Sequence, residues 1–333
     1  MNSQMLEEPL LIEETSRYVM FPLKYPDIFD AYKKAMSVFW TSDEVNFAQD
    51  LVDLEKLTEN ERYFINHILA FFAASDGLVC ENICLNFSNE VKHAEIKAFY
   101  SFQNFMENIH SETYSLLIDT YVKDVDEKNK LFDAVNNYPA IQEKYVWTVN
   151  YITNKNLPFA QRLIAFALIE GVFFSSSFAS LFWLRHRGLM QGLTFANELI
   201  ARDESLHTDF ACLLYSKIVN RIPQEFIEGM FREAVEIEKK FIVESLPCSL
   251  IGMNQTLMCD YIMYMADRLL LQLGYSPIYF KSNPFEFMEK SASETKVSFF
   301  ERRNAQYAKS TVSFVPGKSA MPDKLTFNDD MDF

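Results

Sequence analysis

Glu107-Asn108-Ile109-His110 and Glu204-Ser205-Leu206-His207 are two copies of one pattern, Glu-x-x-His. Each copy lies in a run whose apolar residues recur at helical spacing. Residues i and i+3 of a helix share a face, one turn apart. A carboxylate beside an imidazole in that register makes a clamp for a transition metal.

Two further acids, Asp76 and Glu170, stand inside apolar helical runs. A single Glu in such a run is ordinarily an edge residue or half of an ion pair, and a single buried His is ordinarily a core residue. The combination reads differently. Four acids in apolar surroundings are costly to bury without a cation. The nearest basic residues are Arg162, Arg185 and Arg202. Two metal ions would supply the missing charge. One acid from each of two helices, with Glu-x-x-His from each of two others, is the ligand pattern of ferritin-like di-iron and di-manganese bundles. The expected fold is therefore all-α, a ferritin-like helical bundle with a dinuclear metal site.

Glu90-Val91-Lys92-His93 is a third copy. On one continuous helix it would lie about 25 Å before Glu107, too far to share an ion. Its neighbours Ser88, Asn89 and Lys92 are polar, so it is expected on a solvated face. His67 and His186 have no acid at the right spacing and are expected to be structural. Tyr114 follows His110 by four residues and so stacks one turn further along the same face. It is either a core tyrosine bonded to a ligand or a tyrosine oxidised by the metal centre. The second role needs a dry cage, for which Phe174, Phe178 and Ile200 are at the right spacings from Glu170 and Glu204.

Composition sets the frame. The chain has 333 residues with 31 Phe and only 8 Gly, which favours long helices and a large core. The net charge of −15 argues against nucleic acid as a direct partner, since phosphate recognition needs a basic surface. The five cysteines show no C-x-x-C or zinc spacing, and reduced, mostly buried thiols are expected. The N-terminus is acidic and does not read as a signal peptide. No uninterrupted apolar run reaches the ~18 residues of a membrane span. Leu163 to Leu184 comes closest, interrupted by Glu170.

In chain order, residues 1–20 read as a flexible N-terminal arm. A helix is expected from Asp27, as its N-cap, to Trp40. A Thr58-x-x-Glu61 capping box opens another, which carries Asp76. Others are expected over about 89–122, 130–137, 141–152, 158–183, 195–219, 224–246 and 253–273, with Gly188 punctuating one end. Residues 21–289 form the helical di-metal domain. Residues 290–333, rich in Ser, Lys and Asp, read as a mobile C-terminal tail.

The segments LAFFAASDG, MENIHSETYSLLIDTYVKD, IEGVFFSSSFASLFWL and RGLMQGLTFANELIARDESLHTDFACLLY, with the aromatic and acidic C-terminus, resemble the small subunit of class I ribonucleotide reductase. The likeness is to the eukaryotic and large-DNA-virus type and runs from about Arg17 to Phe333. It implies that Asp76, Glu107 and His110 hold one iron and Glu170, Glu204 and His207 the other, with Glu107 and Glu204 bridging. It implies two Fe ions per chain, with Mn less favoured, and a stable radical on Tyr114 within the Phe174, Phe178 and Ile200 pocket. Asp203 resembles the acid that holds His110 and couples it to Trp40. Tyr307 resembles the tyrosine that relays the radical to the large subunit, and Phe327 to Phe333 the peptide that docks there. The resemblance also implies a homodimer in the cytoplasm, active only with the large subunit, and no nucleic acid or membrane as partner. The alternatives are another di-iron oxidase on the same bundle, a ferroxidase, or a silent partner subunit, which the intact ligand set disfavours.

Overall fold

A computed structural model describes residues 6–12, 19–245 and 253–288. The chain divides into a unit of Met1–Ala292 and a second of Ser293–Phe333, and all described residues lie in the first. Tyr307 and the Phe327–Phe333 peptide fall outside the described residues.

The described residues form helices and no strand. The α-helices of four or more residues are α1 (Pro26–Ser37), α2 (Ala48–Leu54), α3 (Glu59–Asn82) and α4 (Ala94–Tyr121). Then come α5 (Val125–Phe132), α6 (Ala134–Asn137), α7 (Pro139–Ile152) and α8 (Phe159–Leu168). The last four are α9 (Ser175–His186), α10 (Gln191–Ser216), α11 (Gln224–Ser245) and α12 (Gln255–Gln272). Two π turns interrupt the order: Ile83–Phe87 after α3, and Ile169–Phe173 between α8 and α9. Helix α3 packs on α4, and α8 and α9 pack on α10. Phe64, Ile68, Leu69, Phe71 and Phe72 of α3 and Leu163 to Ile169 are fully or almost fully buried between them. Each Leu, Ile or Phe side chain among them contributes ~1.5–3 kcal/mol.

The capping box forms: the Thr58 hydroxyl accepts from Glu61 N–H, and the Glu61 carboxylate accepts from Thr58 N–H at 2.8 Å. Asp27 does not cap α1. Pro26 occupies the first turn after Tyr25, because its fixed φ suits that position. Helix α1 also stops at Ser37 rather than reaching Trp40. Tertiary bonds hold the next residues: Arg202 donates to Val38 O at 2.6 Å and Trp40 to Asp203 at 2.7 Å.

The expected helix over 89–122 breaks at 91–93, where Val91 and His93 are extended. The N-terminal segment causes the break. Lys92 N–H donates to Leu10 O at 3.1 Å, and a His93 ring nitrogen lies 2.8 Å from Pro9 O. Glu90 and His93 therefore do not share a helical face, and His93 is buried, not solvated. Within the stretch expected as a flexible arm, residues 6–12 are held in place: Leu10 is buried and Glu8 accepts from the Val219 and Asn220 N–H groups.

Two helical stretches, Glu59–Glu90 and Phe159–His186, are long and apolar enough to cross a membrane. The most apolar 18-residue window of the second is 94% buried in the bundle, so core packing accounts for its composition.

Helix α10 starts beside a carboxylate. Asp50 accepts from Gly192 and Leu193 N–H at 2.8 and 2.7 Å, and Asp53 accepts from Met190 N–H at 3.1 Å. Negative charge there suits the helix N-terminus. A Cβ on Gly192 would lie 2.5 Å from Asn46 O and 2.7 Å from Asp50 Oδ2. Gly192→Ala should therefore lower stability by about 1–3 kcal/mol through overpacking, read by urea unfolding. An unchanged midpoint would contradict this close approach.

Candidate metal centre

Four elements deliver the six residues. Asp76 comes from α3, Glu107 and His110 from α4, Glu170 from the second π turn, and Glu204 and His207 from α10. All six are at most 3% exposed. Their ligand atoms form two groups, each within 4.8 Å: Asp76, Glu107 and His110, and Glu107, Glu170, Glu204 and His207. Glu107 belongs to both. His110 Nδ1 lies 3.3 Å from Glu107 and 3.0 Å from Glu204. His207 Nδ1 lies 3.1 Å from Glu107, 3.1 Å from Glu204 and 3.5 Å from Glu170.

Packed together, these groups perturb one another. Burial, reinforced by Glu107, drives the Asp76 carboxyl well above the usual range, and burial and Glu204 do the same to Glu170. Burial opposes the charged forms of the histidines, yet both rise well above the usual value. Asp203, Glu107 and Glu204 raise His110, while Glu204, Glu107 and Glu170 raise His207. Burial works against the Glu204 carboxylate too, but bonding with Glu170 and the two imidazoles holds it well below its usual range. Positive charge, here borne by protons, is what the cluster requires.

A metal pair fits this demand. Asp76 Oδ2 is buried without a hydrogen-bond partner, and Glu107 Oε2, Glu170 Oε2 and Glu204 Oε1 each lie against a cluster imidazole. Oxygen-rich donors with two imidazoles suit iron or manganese. The candidate counter-cations serve other acids: Arg162 pairs with Glu90, Arg185 with Glu198 and Arg202 with Asp203.

Tyr114 is 1% exposed, and its hydroxyl has no hydrogen-bond partner. The ring stacks on Phe72 at 4.6 Å and 4°. Phe174 and Phe178 pack on Phe72 at 5.5 and 4.9 Å, and Ile200 is buried. Burial, with Asp76 as the foremost charge, pushes the phenol well above its usual range.

On the other side, Trp40 Nε1 donates to Asp203 Oδ2 at 2.7 Å. A His110 ring nitrogen lies 3.2 Å from the same oxygen, and the Trp40 and His110 rings stack at 6.0 Å. Arg202 bonds Asp203 Oδ1 at 3.1 Å. A carboxylate of this kind fixes the orientation of a ligating imidazole.

Of the residues that the sequence reading singled out, Asp76, Glu107, His110, Glu170, Glu204 and His207 gather in one cluster, Trp40 and Asp203 lie hydrogen-bonded beside His110, and Tyr114 is buried against Phe72. The reading missed Phe72 as the ring beneath Tyr114. It also missed Gln103, fully buried, whose amide donates to Glu170 at 3.2 Å. Both stand four residues before a cluster acid, Asp76 and Glu107, and that spacing was the available signal.

The family profile described as "Ribonucleotide reductase, small chain" matches residues 17–284. A ribonucleoside-diphosphate reductase small subunit of Dictyostelium discoideum is 55% identical over 92% of this chain and 90% of its own. Its counterpart in Nicotiana tabacum, also described as a ribonucleoside-diphosphate reductase small chain, is 52% identical over 92% of this chain and 93% of its own. Among solved structures, the ribonucleotide reductase Rnr4 homodimer of Saccharomyces cerevisiae superimposes with a TM-score of 0.78 at 39% identity, covering 90% of this chain and 92% of that one.

The electrostatics set a pH dependence. His110 and His207 titrate above their ordinary 6.5, so the folded metal-free chain holds protons that the unfolded chain releases. That contribution is full below pH 6.5 and is lost as pH rises through the folded values. Asp76 and Glu170, raised from 3.8 and 4.5, act in the same direction. Glu204 opposes them only below 4.5. Chelator-treated protein should therefore lose stability between about pH 6 and about pH 8, and divalent metal should flatten that slope. Equal urea midpoints at both pH values without metal would contradict the clustered geometry.

Proposed function

The chain belongs to the ribonucleotide reductase small-chain family, and from that premise we propose that its six buried ligands hold two iron ions beside a radical-bearing Tyr114. The family role is that of the small subunit of a ribonucleoside-diphosphate reductase, an oxidoreductase that makes deoxyribonucleotides. The observation that carries our reading is Glu107, which is common to two donor groups and lies on the helical face that leads to Tyr114.

When bound, the metal pair supplies oxidising power drawn from dioxygen. The residues of the chain do the rest. Tyr114 gives up an electron and its phenolic proton together, since its raised pKa disfavours a free phenolate in this dry cage. Asp76 is the foremost charge acting on it. The stacked ring of Phe72 and the edges of Phe174 and Phe178 keep water from quenching the radical. Trp40, Asp203 and His110 form one hydrogen-bonded line from the cluster outward, and Asp203 Oδ2 is the atom that can hold a proton between the two rings.

Beyond the described residues, Tyr307 relays the radical onward, and the Phe327–Phe333 peptide, acidic between two Phe anchors, docks on the large subunit. The working unit is a homodimer in the cytoplasm. Iron is our assignment on the segments shared with the small-subunit family. Manganese suits the same donors, and metal analysis of protein isolated from its source distinguishes the two.

Tyr114→Phe should keep two metal ions per chain and lose the tyrosyl signal in electron paramagnetic resonance; an unchanged signal places the radical elsewhere. Tyr307→Phe should leave metal and radical intact but abolish turnover with the large subunit, and normal turnover would refute the relay. Deleting residues 327–333 should weaken binding to the large subunit, whereas unaltered affinity removes the docking role.

A further inference from the structure

A second charged pair is buried away from the cluster. Lys144 of α7 and Glu238 of α11 are 2% and 0% exposed, and their charged atoms are 2.6 Å apart. Burying such a pair gives little net stability, because desolvation offsets the attraction, and apolar residues of similar volume often serve as well. Its partners point to another role. Lys144 Nζ donates to Phe173 O, the last carbonyl of the π turn, at 2.8 Å. The Ser176 hydroxyl, three residues on, donates to Glu238 Oε1. Between them, Ser175 Oγ donates to Val172 O at 2.7 Å. The two charges thus hold both sides of the junction between the π turn and α9.

The same ammonium lies over the Phe71 ring at 3.4 Å and the Phe241 ring at 3.8 Å. Phe71 precedes Phe72, on which Tyr114 stacks, and its own ring meets Phe174 at 5.7 Å. One cation therefore touches the element that carries Glu170 and the element that carries Asp76. These are the two ligand-bearing elements without a histidine ligand. A π turn inserts an extra residue into a helix and disturbs the regular ladder, so its register needs an external hold.

We propose that Lys144 and Glu238 are positioning residues: they clamp the Ile169–Phe173 π turn so that Glu170 stays in the metal centre and Phe174 stays against the Tyr114 cage. The proposal rests on the reading of Glu170 as a ligand.

Cobalt(II) titration of the chelator-treated full-length protein tests it, read by the visible absorption of the bound ion. Wild type should bind two ions, and Glu170→Ala should weaken one of them. Failure of that control would overturn the ligand reading and the clamp together. With the control in place, the Lys144→Met, Glu238→Met double variant preserves apolar volume but removes both bonds to the turn. It should weaken one of the two ions by about tenfold or more, as loss of supporting contacts to a ligand does, while the other is held as before. Equal affinity for both ions would overturn the clamp. If the double variant does not fold, Lys144→Gln against Lys144→Met decides. Gln can still donate to Phe173 O, so it should retain the weaker ion better than Met by about tenfold; identical affinities would refute the clamp.

Discussion

Four carboxyl groups and two imidazoles packed into two groups, each within 4.8 Å, in a buried interior are the constraint on which the rest of this structure depends. Such a cluster cannot hold its full negative charge unaided, and the raised values of Asp76, Glu170, His110 and His207 record the demand for cations. A bundle satisfies this geometry because helices deliver side chains at fixed spacing. Glu107 and His110, and Glu204 and His207, are set one turn apart by the helix itself, whatever else the chain does.

The remaining acids need more than a regular helix. Glu170 lies in a π turn, and Asp76 stands on the helix whose Phe71 and Phe72 back onto that turn. Around them the protein devotes polar contacts to position: Gln103 against Glu170, Asp203 against His110, and Lys144 with Glu238 against the turn. Helix α10, which supplies two ligands, is fixed at its start by Asp50 and Asp53. The aromatic residues separate two environments. Tyr114 has rings and no hydrogen-bond partner, whereas Trp40 on the opposite side is tied to a carboxylate.

Much of this was legible in the chain before folding. Repeated Glu-x-x-His at helical register needs no tertiary information, and neither does the Thr58 capping box. The ends of α1 and α4 were not legible, because distant residues set them. Arg202 and Asp203 hold Val38 and Trp40 out of helix, and Pro9 and Leu10 hold Lys92 and His93 extended. The third Glu-x-x-His failed for that reason: local polarity suggested solvent, while the N-terminal segment buried the histidine. The π turns were invisible, since one inserted residue leaves apolar periodicity nearly intact. No sequence signal links Lys144 to Glu238, and only packing pairs them.

The central claim is that two metal ions share Glu107 at the centre of this cluster. Anomalous diffraction from crystals grown with ferrous iron under air measures it most directly. Two iron peaks per chain, flanking Glu107, one beside His110 and the other beside His207, are the predicted result. A single peak, or iron bound away from these six residues, would contradict it.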